Sequence, residues 1–468
     1  MESPICEKYI WENGGITLQA VADRPKLNRA LDVVSDAALA VCLFTTFSFQ
    51  HTLLSTAGMG LALLVALARF LVRPRIYGSI WYIGYALLIL WGAVGALAGW
   101  AIDRATALAM CRTMCVGLGF VFVLHQLVVQ RRNTEASLLM CLLACLATMA
   151  YVLVCEGEAM FQVRIGSAAN INANDLAMIL SLGYIVSIHR ACERRRWYEA
   201  LPALLLAMGI LMTGSRKGLI VLVFLPACYL LWRDRRHIKR NLLLLALLAA
   251  ALVAAVMLAP PLYRVLGSRF LRLYEQIASG TIFETDARIR LIRQGWAMFL
   301  ERPLTGWGLD CFRFNGVTRE TYSHSNHIEL LVSGGIPALL LYYTPLLIVL
   351  VRTVRRAGRQ NVVRLVATVM LGRLLVEPLT VSYYLRQELL PIALLLGVSR
   401  LALRGAEEDD GLALLRCLKE PRRLFRRGAD DGRKGEPAPS APAGGGEGPS
   451  ARPLLPEEAA DNAKGNGR

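Results

Sequence analysis

Charge is scarce in this sequence. Only 19% of its 468 residues are acidic or basic, against about 25% in an ordinary soluble domain. Hydrophobic residues make up 55%, and the mean hydropathy is +0.45. Bulk disorder, which needs low hydrophobicity, is therefore excluded. Length alone would allow about three soluble domains, but the apolar residues arrive in long blocks. CxxC is absent among the eleven cysteines, which removes support for a zinc or redox site. The i,i+4 pairs Cys111/Cys115 and Cys141/Cys145 are spaced like small packing residues on one helical face. Walker loops, GxGxxG fingerprints and DxD motifs are missing, so ATP-driven chemistry is not expected. No cleavable leader is expected either: the start, MESPICEKYIWENGG, is polar and shows no such pattern, and the first apolar span is expected to target the chain.

What is present is about twelve apolar segments of membrane-spanning character. They lie near 31–49, 52–72, 78–102, 105–127, 136–155, 174–189, 197–214, 218–232, 241–259, 328–351, 362–381 and 387–403. The eighth is short, and is expected to be tilted or partly re-entrant. The net charge of +17 fits nucleic acid less well than it fits cytoplasmic loops, where positive residues accumulate. Lys8, Arg24, Lys26 and Arg29 precede the first span, and Arg73 and Arg75 follow the second. Arg131 and Arg132 follow the fourth; Arg190, Arg194, Arg195 and Arg196 follow the sixth. RDRRHIKR, 233–240, follows the eighth, and Arg352, Arg355, Arg356 and Arg359 follow the tenth. Alternating spans put all of these on one side. The expectation is an all-α polytopic protein of the cytoplasmic (inner) membrane with both termini cytoplasmic.

The expected organisation is a cytoplasmic N-terminus (1–30), spans one to nine (31–259), an extracytoplasmic subdomain (260–327), spans ten to twelve (328–403) and a cytoplasmic tail (404–468). The 260–327 stretch is too long for a simple connector. Within it, SRFLRLYEQI and ARIRLIRQGWAMFLERP space apolar residues three or four apart, as helices lying on the membrane would. In the tail, GLALLRCLKEPRRLFRRG suits anionic headgroups. The Pro/Gly/Ala-rich remainder is expected to be disordered.

A few cations break the charge rule. Arg216 and Lys217 lie in TGSRKG between two spans, on the outer side. A cation there is either a snorkelling helix end or part of a site. Arg288, Arg290 and Arg293 fall in the outer segment. On a helix, Arg290 and Arg293 share a face and Arg288 lies about 100° away. Guanidinium forks suit diphosphate oxygens, although an amphipathic solvated face explains them equally. In YSHSNHIELL, His324, Asn326, His327 and Glu329 crowd the entrance of the tenth span. Histidine is a candidate general base, and Glu329 would either orient it or contact hydroxyls. The spacing is not that of a metal motif, so no metal is expected. Arg164 and Asn174 are weaker candidates: Asn174 either bonds a sugar or helps cap the sixth span. Arg373 and Glu377, i,i+4 in the eleventh span, are expected to pair.

Four segments resemble the bacterial O-antigen ligase and O-antigen polymerase superfamily. GSRKGL, 214–219, is similar to its Ser-Arg-Gly turn, with Lys217 where glycine is frequent. RIRLIRQGWAMFLERPLTGWGLDCF, 288–312, is similar to its arginine, short helix and Pro-Leu-x-Gly-x-Gly pattern. SHSNHIELLVSGGIPALLLYY, 323–343, resembles its His-x-Asn segment, and NINANDLAMIL, 170–180, its upstream Asn-rich helix start. The resemblance covers about 30–403 and is most specific over 160–345.

It implies a GT-C-like membrane glycosyltransferase, metal-independent and without cofactor. The donor would be a glycan on undecaprenyl diphosphate, and the acceptor a glycan or lipid-glycan hydroxyl. Carried over, Arg216 and Arg288 would hold the diphosphate and His324 would activate the acceptor. Lys217, Arg290, Arg293, Asn326, His327, Glu329, Arg164 and Asn174 stand as accessory candidates. Neither the residues nor the resemblance separates ligase, polymerase and protein transferase. A multi-span transporter, or a carrier-lipid-binding protein without catalysis, is the alternative; the former should show internal repeats and broken helices.

Overall fold

The computed structural model describes residues 25–403, except 51, 73, 158–163, 261–262, 268–270, 272–273, 276–277, 280–286 and 315–321. The expectations for the first residues, for most of SRFLRLYEQI and for the tail fall outside them. Among the described residues there are thirteen α-helices of at least 12 residues and no strand. They are α1 (Pro25–Ser48), α2 (Leu53–Val72), α3 (Ile80–Leu97), α4 (Arg104–Arg131), α5 (Thr134–Glu156), α6 (Ala173–Arg194) and α7 (Leu201–Met212). After these come α8 (Arg216–Arg233), α9 (Ile238–Leu258), α10 (Ala287–Glu301), α11 (Asn326–Ala357), α12 (Asn361–Val376) and α13 (Arg386–Ala402).

Each of the twelve apolar segments coincides with a helix, and α10 is the additional one. Among the described residues seven helices, α1 to α6 and α11, are long and apolar enough to cross a membrane. Local chemistry sets several helix starts. Asp103 accepts from Thr106 N at 2.7 Å at the head of α4, and Asn133 from Ala136 N at 3.0 Å before α5. Each satisfies one of the donors that a helix start leaves open. The short eighth segment is a helix of 18 residues that accommodates Pro226.

Among the described residues most ion pairs gather at one end of the bundle. Arg131 meets Asp36 at 2.9 Å, Arg190 meets Glu199 at 3.1 Å, and Arg233 meets Glu193 at 3.0 Å. All three arginines are among those the charge rule assigns to the cytoplasm. Polar contacts at the other end join segments distant in sequence. Arg386 reaches Ser55 at 3.2 Å, Gln387 reaches Asp175 at 3.5 Å, and Asn326 accepts from Ser382 N at 2.9 Å.

The apolar pattern over 328–351 predicts an unbroken span, but α11 is broken at Gly334 and Gly335, whose backbones are non-helical. A break frees carbonyls that would otherwise lose their partners. Here the 302–308 loop replaces them. Trp307 N donates to Val332 O at 2.7 Å, Gly308 N to Ser333 O at 3.0 Å, and Ile336 N back to Pro303 O at 2.8 Å. Gly335 has φ +67° and ψ −162°, a region essentially closed to residues with a Cβ. A Cβ there would stand 2.4 Å from Pro303 O. Gly335→Ala should therefore unseat the loop, at a cost of at least about 1–3 kcal/mol from backbone strain. Thermal unfolding in detergent and the rate of proteolysis within 302–308 would measure it; an unchanged melting point would refute this account of the break.

Candidate active site

The TGSRKG turn between α7 and α8 is held from outside. Arg164 Nε donates to Thr213 O at 2.7 Å, and its Nη2 to Asn174 Oδ1 at 3.4 Å. Ser215 Oγ donates to the same Asn174 oxygen at 2.9 Å and accepts from Gly218 N at 3.2 Å, capping α8. Glu156 in turn fixes the Arg164 loop by accepting from Gly166 N at 2.6 Å and Ala168 N at 3.0 Å. The accessory candidates Arg164 and Asn174 thus build the turn that presents Arg216.

Arg216 opens α8 half-buried, where the helix dipole already favours an anion. Lys217 is buried and interacts electrostatically with Glu388 and Asp175, and also with Arg288. It is therefore partly neutralised by two carboxylates, one from α6 and one from α13. Arg288, on α10, adds a like charge to the field at Lys217.

α10 lies against the first half of α11 through Leu291, which clusters with Phe312, Ile328 and Val332. This packing splits its arginines as the helical periodicity predicts. Arg288 is half-buried, whereas Arg290 and Arg293 are exposed. Trp296, 47% exposed, and Leu300, 61% exposed, present apolar surface on the same helix. A helix with exposed arginines and exposed aromatic and aliphatic side chains suits the headgroup region.

His324 sits in a short turn before α11 with φ +60°, uncommon for a residue with a Cβ. The turn is pinned by Glu329, 1% exposed, whose Oε2 accepts from Ser323 N at 2.8 Å. Ser323 Oγ also donates to Ser325 O at 3.0 Å. The Tyr322 and His324 rings lie 4.4 Å apart. Next to this turn, Asp310 and Arg313 form an ion pair in the 302–314 loop. Burial pushes the Asp310 carboxyl above its ordinary range, and the hydrogen bond from Arg313 pulls it back.

Two neighbours of His324 are committed elsewhere. Asn326 is fully buried; its Nδ2 donates to Tyr343 Oη at 2.9 Å, and its Oδ1 accepts from Ser382 N and Tyr383 N. His327 stacks on the Tyr343 ring at 4.9 Å with the planes 8° apart. Tyr343 donates to Glu377 at 2.7 Å, and Glu377 pairs with Arg373 at 3.0 Å. The i,i+4 pair expected in the eleventh span is thus present. Among the described residues no cluster of three or more His, Cys, Asp or Glu is placed to hold a metal ion.

Residues 201–343 match the family profile described as O-antigen ligase. That segment is similar to the O-antigen ligase family. None of the curated proteins matches the chain. The O-antigen ligase segment runs from the head of α7 through the first half of α11 and contains Arg216, Arg288 and His324. Arg164 and Asn174, which shape the Arg216 turn, precede it. Residues at the head of α13 that reach the site, Gln387 and Glu388, follow it. Neither is among the candidates that the sequence singles out, although the polar run YYLRQE between two apolar segments marks them.

Proposed function

We propose that the chain is a membrane glycosyltransferase that moves a glycan from undecaprenyl diphosphate to an acceptor hydroxyl during synthesis of a surface polysaccharide. The observation that carries this reading is the turn that presents Arg216 at the head of α8, braced by Arg164 through Thr213 O and by Asn174 through Ser215 Oγ, with Arg288 on α10 in electrostatic reach of the adjacent Lys217. Two guanidinium groups from separate elements would then bracket a diphosphate, near the head of the helix that His324 precedes. The O-antigen ligase match supports the same chemistry.

In this reading His324 takes the proton from the acceptor hydroxyl, whose oxygen forms a bond to the anomeric carbon. The bond from that carbon to the diphosphate oxygen breaks, with inversion, and the electron pair leaves on undecaprenyl diphosphate. Arg216 and Arg288 stabilise the growing negative charge, as preorganised cations do. The leaving group is already activated, so neither nucleotide nor metal is required. The active face is extracytoplasmic, both termini are cytoplasmic, and all twelve apolar helices span an inner membrane, following the distribution of arginines. The break in α11 is the feature that favours the transporter alternative. Against it, the 302–308 backbone seals that break, so the freed carbonyls are not left to line a cavity.

Purified protein supplied with diphosphate-linked glycan and candidate acceptors tests the reading. Arg216→Ala and Arg288→Ala should each lower turnover by about 10²–10³-fold, the size expected when one charge-stabilising donor is removed. Undiminished transfer in both variants would refute the site. Binding of the carrier lipid without transfer to any acceptor would favour the non-catalytic alternative.

A further inference from the structure

A second cationic pocket lies at the same end of the bundle. It is an open pocket of about 180 Å³ between α1, α2, α4 and the head of α13, lined by Arg112, Arg386, Gln50, Ser55, Tyr384 and Gln387 among others. None of Arg216, Lys217, Arg288 and His324 belongs to it.

Its composition suits an anion. Arg112 stands about two turns inside α4, in a mainly apolar stretch, and it is exposed there. An ionisable residue at that depth is expensive and functional by default. Arg386 is half-buried and, among the described residues, donates only to the neutral Ser55 Oγ, at 3.2 Å. Among the described residues neither arginine is in an ion pair. This contrasts with Arg131, Arg190 and Arg233, which are paired at the other end. Gln50 Nε2 is buried and has no hydrogen-bond partner among the described residues. Two guanidinium groups, an amide donor and the Ser55 and Tyr384 hydroxyls are a donor set for phosphate oxygens.

Its position relates it to the reaction. Tyr384 packs its ring 5.0 Å from that of Tyr383, whose N donates to Asn326 Oδ1 at 3.0 Å, two residues after His324. Gln387 donates to Asp175, which faces Lys217. The pocket thus borders the His324 turn on one side and the Arg216 turn on the other. We propose that it is a second anion subsite, which holds the phosphate or diphosphate group of an acceptor glycolipid while that lipid's sugar hydroxyl reaches His324. The acceptor role rests on the transferase reading; the anion site itself does not.

The test uses the full chain in phosphatidylcholine nanodiscs, titrated with inorganic diphosphate by calorimetry. The wild type should bind two equivalents. Arg112→Gln/Arg386→Gln should keep one, and Arg216→Gln/Arg288→Gln should keep the other. Arg112→Gln alone changes an exposed side chain and should leave the fold intact while weakening the second site by about tenfold or more, as loss of a charged hydrogen bond implies. Unchanged stoichiometry and affinity in both Arg112 variants would overturn the subsite. Loss of binding in those variants, with none in Arg216→Gln/Arg288→Gln, would keep the subsite and refute the donor site. Replacing part of the phosphatidylcholine by phosphatidylglycerol separates the two sources of phosphate. Retained diphosphate binding supports a glycolipid site, and its displacement would assign the pocket to bulk phospholipid and overturn the acceptor role.

Discussion

His324→Ala should lower glycan transfer by about 10²–10⁴-fold, the usual contribution of one well-placed base, and leave diphosphate binding at the arginines unchanged. The geometry gives this substitution its weight. The His324 backbone is held at φ +60°, a conformation that persists only where the surroundings impose it. Glu329 imposes it by accepting from Ser323 N at 2.8 Å. Glu329 thereby becomes a positioning residue with its own readout. Glu329→Gln keeps an oxygen for that N–H and should retain most of the rate. Glu329→Ala removes it and should cost up to about 10²-fold, the scale of a misplacement near 1 Å. Equal losses in Gln and Ala variants would mean that the carboxylate acts on substrate directly. A His324→Ala protein with the wild-type rate would remove the base from the scheme.

Arg373→Met should give the largest loss of stability among single changes near the site, about 3–5 kcal/mol. Arg373 is 2% exposed and its partner Glu377 is 0% exposed. Truncating the arginine strands a buried carboxylate, and the cost comes from that stranded charge more than from the lost bond. Glu377 also accepts from Tyr343 and Ser382, so the damage should spread to the head of α11, where Asn326 ties down Ser382 and Tyr383. Arg373→Met/Glu377→Gln removes both charges, keeps an acceptor oxygen, and should recover most of the loss. Denaturant titration of the detergent-solubilised protein measures both variants. A single variant as stable as wild type, or a double variant no better than the single, would contradict the stranded-charge account.

The helices were legible because apolar length is a local property. Each apolar segment, even the short 218–232, coincides with a helix. The break in α11 was not read, although the Gly-Gly-Ile-Pro sequence at 334–337 carries it. Composition marks a weak point, but only the arriving 302–308 loop makes a break stable. Long-range partners were equally hidden. Asp36 offered no pattern in the sequence, yet it meets Arg131 across two helices. The three central candidates, Arg216, Arg288 and His324, stood out as polar residues where apolar or cytoplasmic ones were expected. Asn326 and His327 stood out for the same reason, and the structure commits them to Ser382, Tyr383 and Tyr343. The Arg112 pocket escaped notice because its residues come from four separate helices, and one arginine within a span looks the same whatever it faces.

The stitching of the 302–308 loop to α11 has a mechanical consequence. Its three bonds are made by backbone atoms, so they survive exchange of most side chains. They fasten the loop that follows α10 to the helix that follows His324. Arg288 and His324 consequently ride on one rigid block, with a spacing insulated from drift in the intervening sequence. Arg216 stands on a different block, braced by Arg164 and Asn174. In the proposed site, the separation of the two guanidinium groups would thus be a matter of how two blocks are seated, not of how any loop is folded.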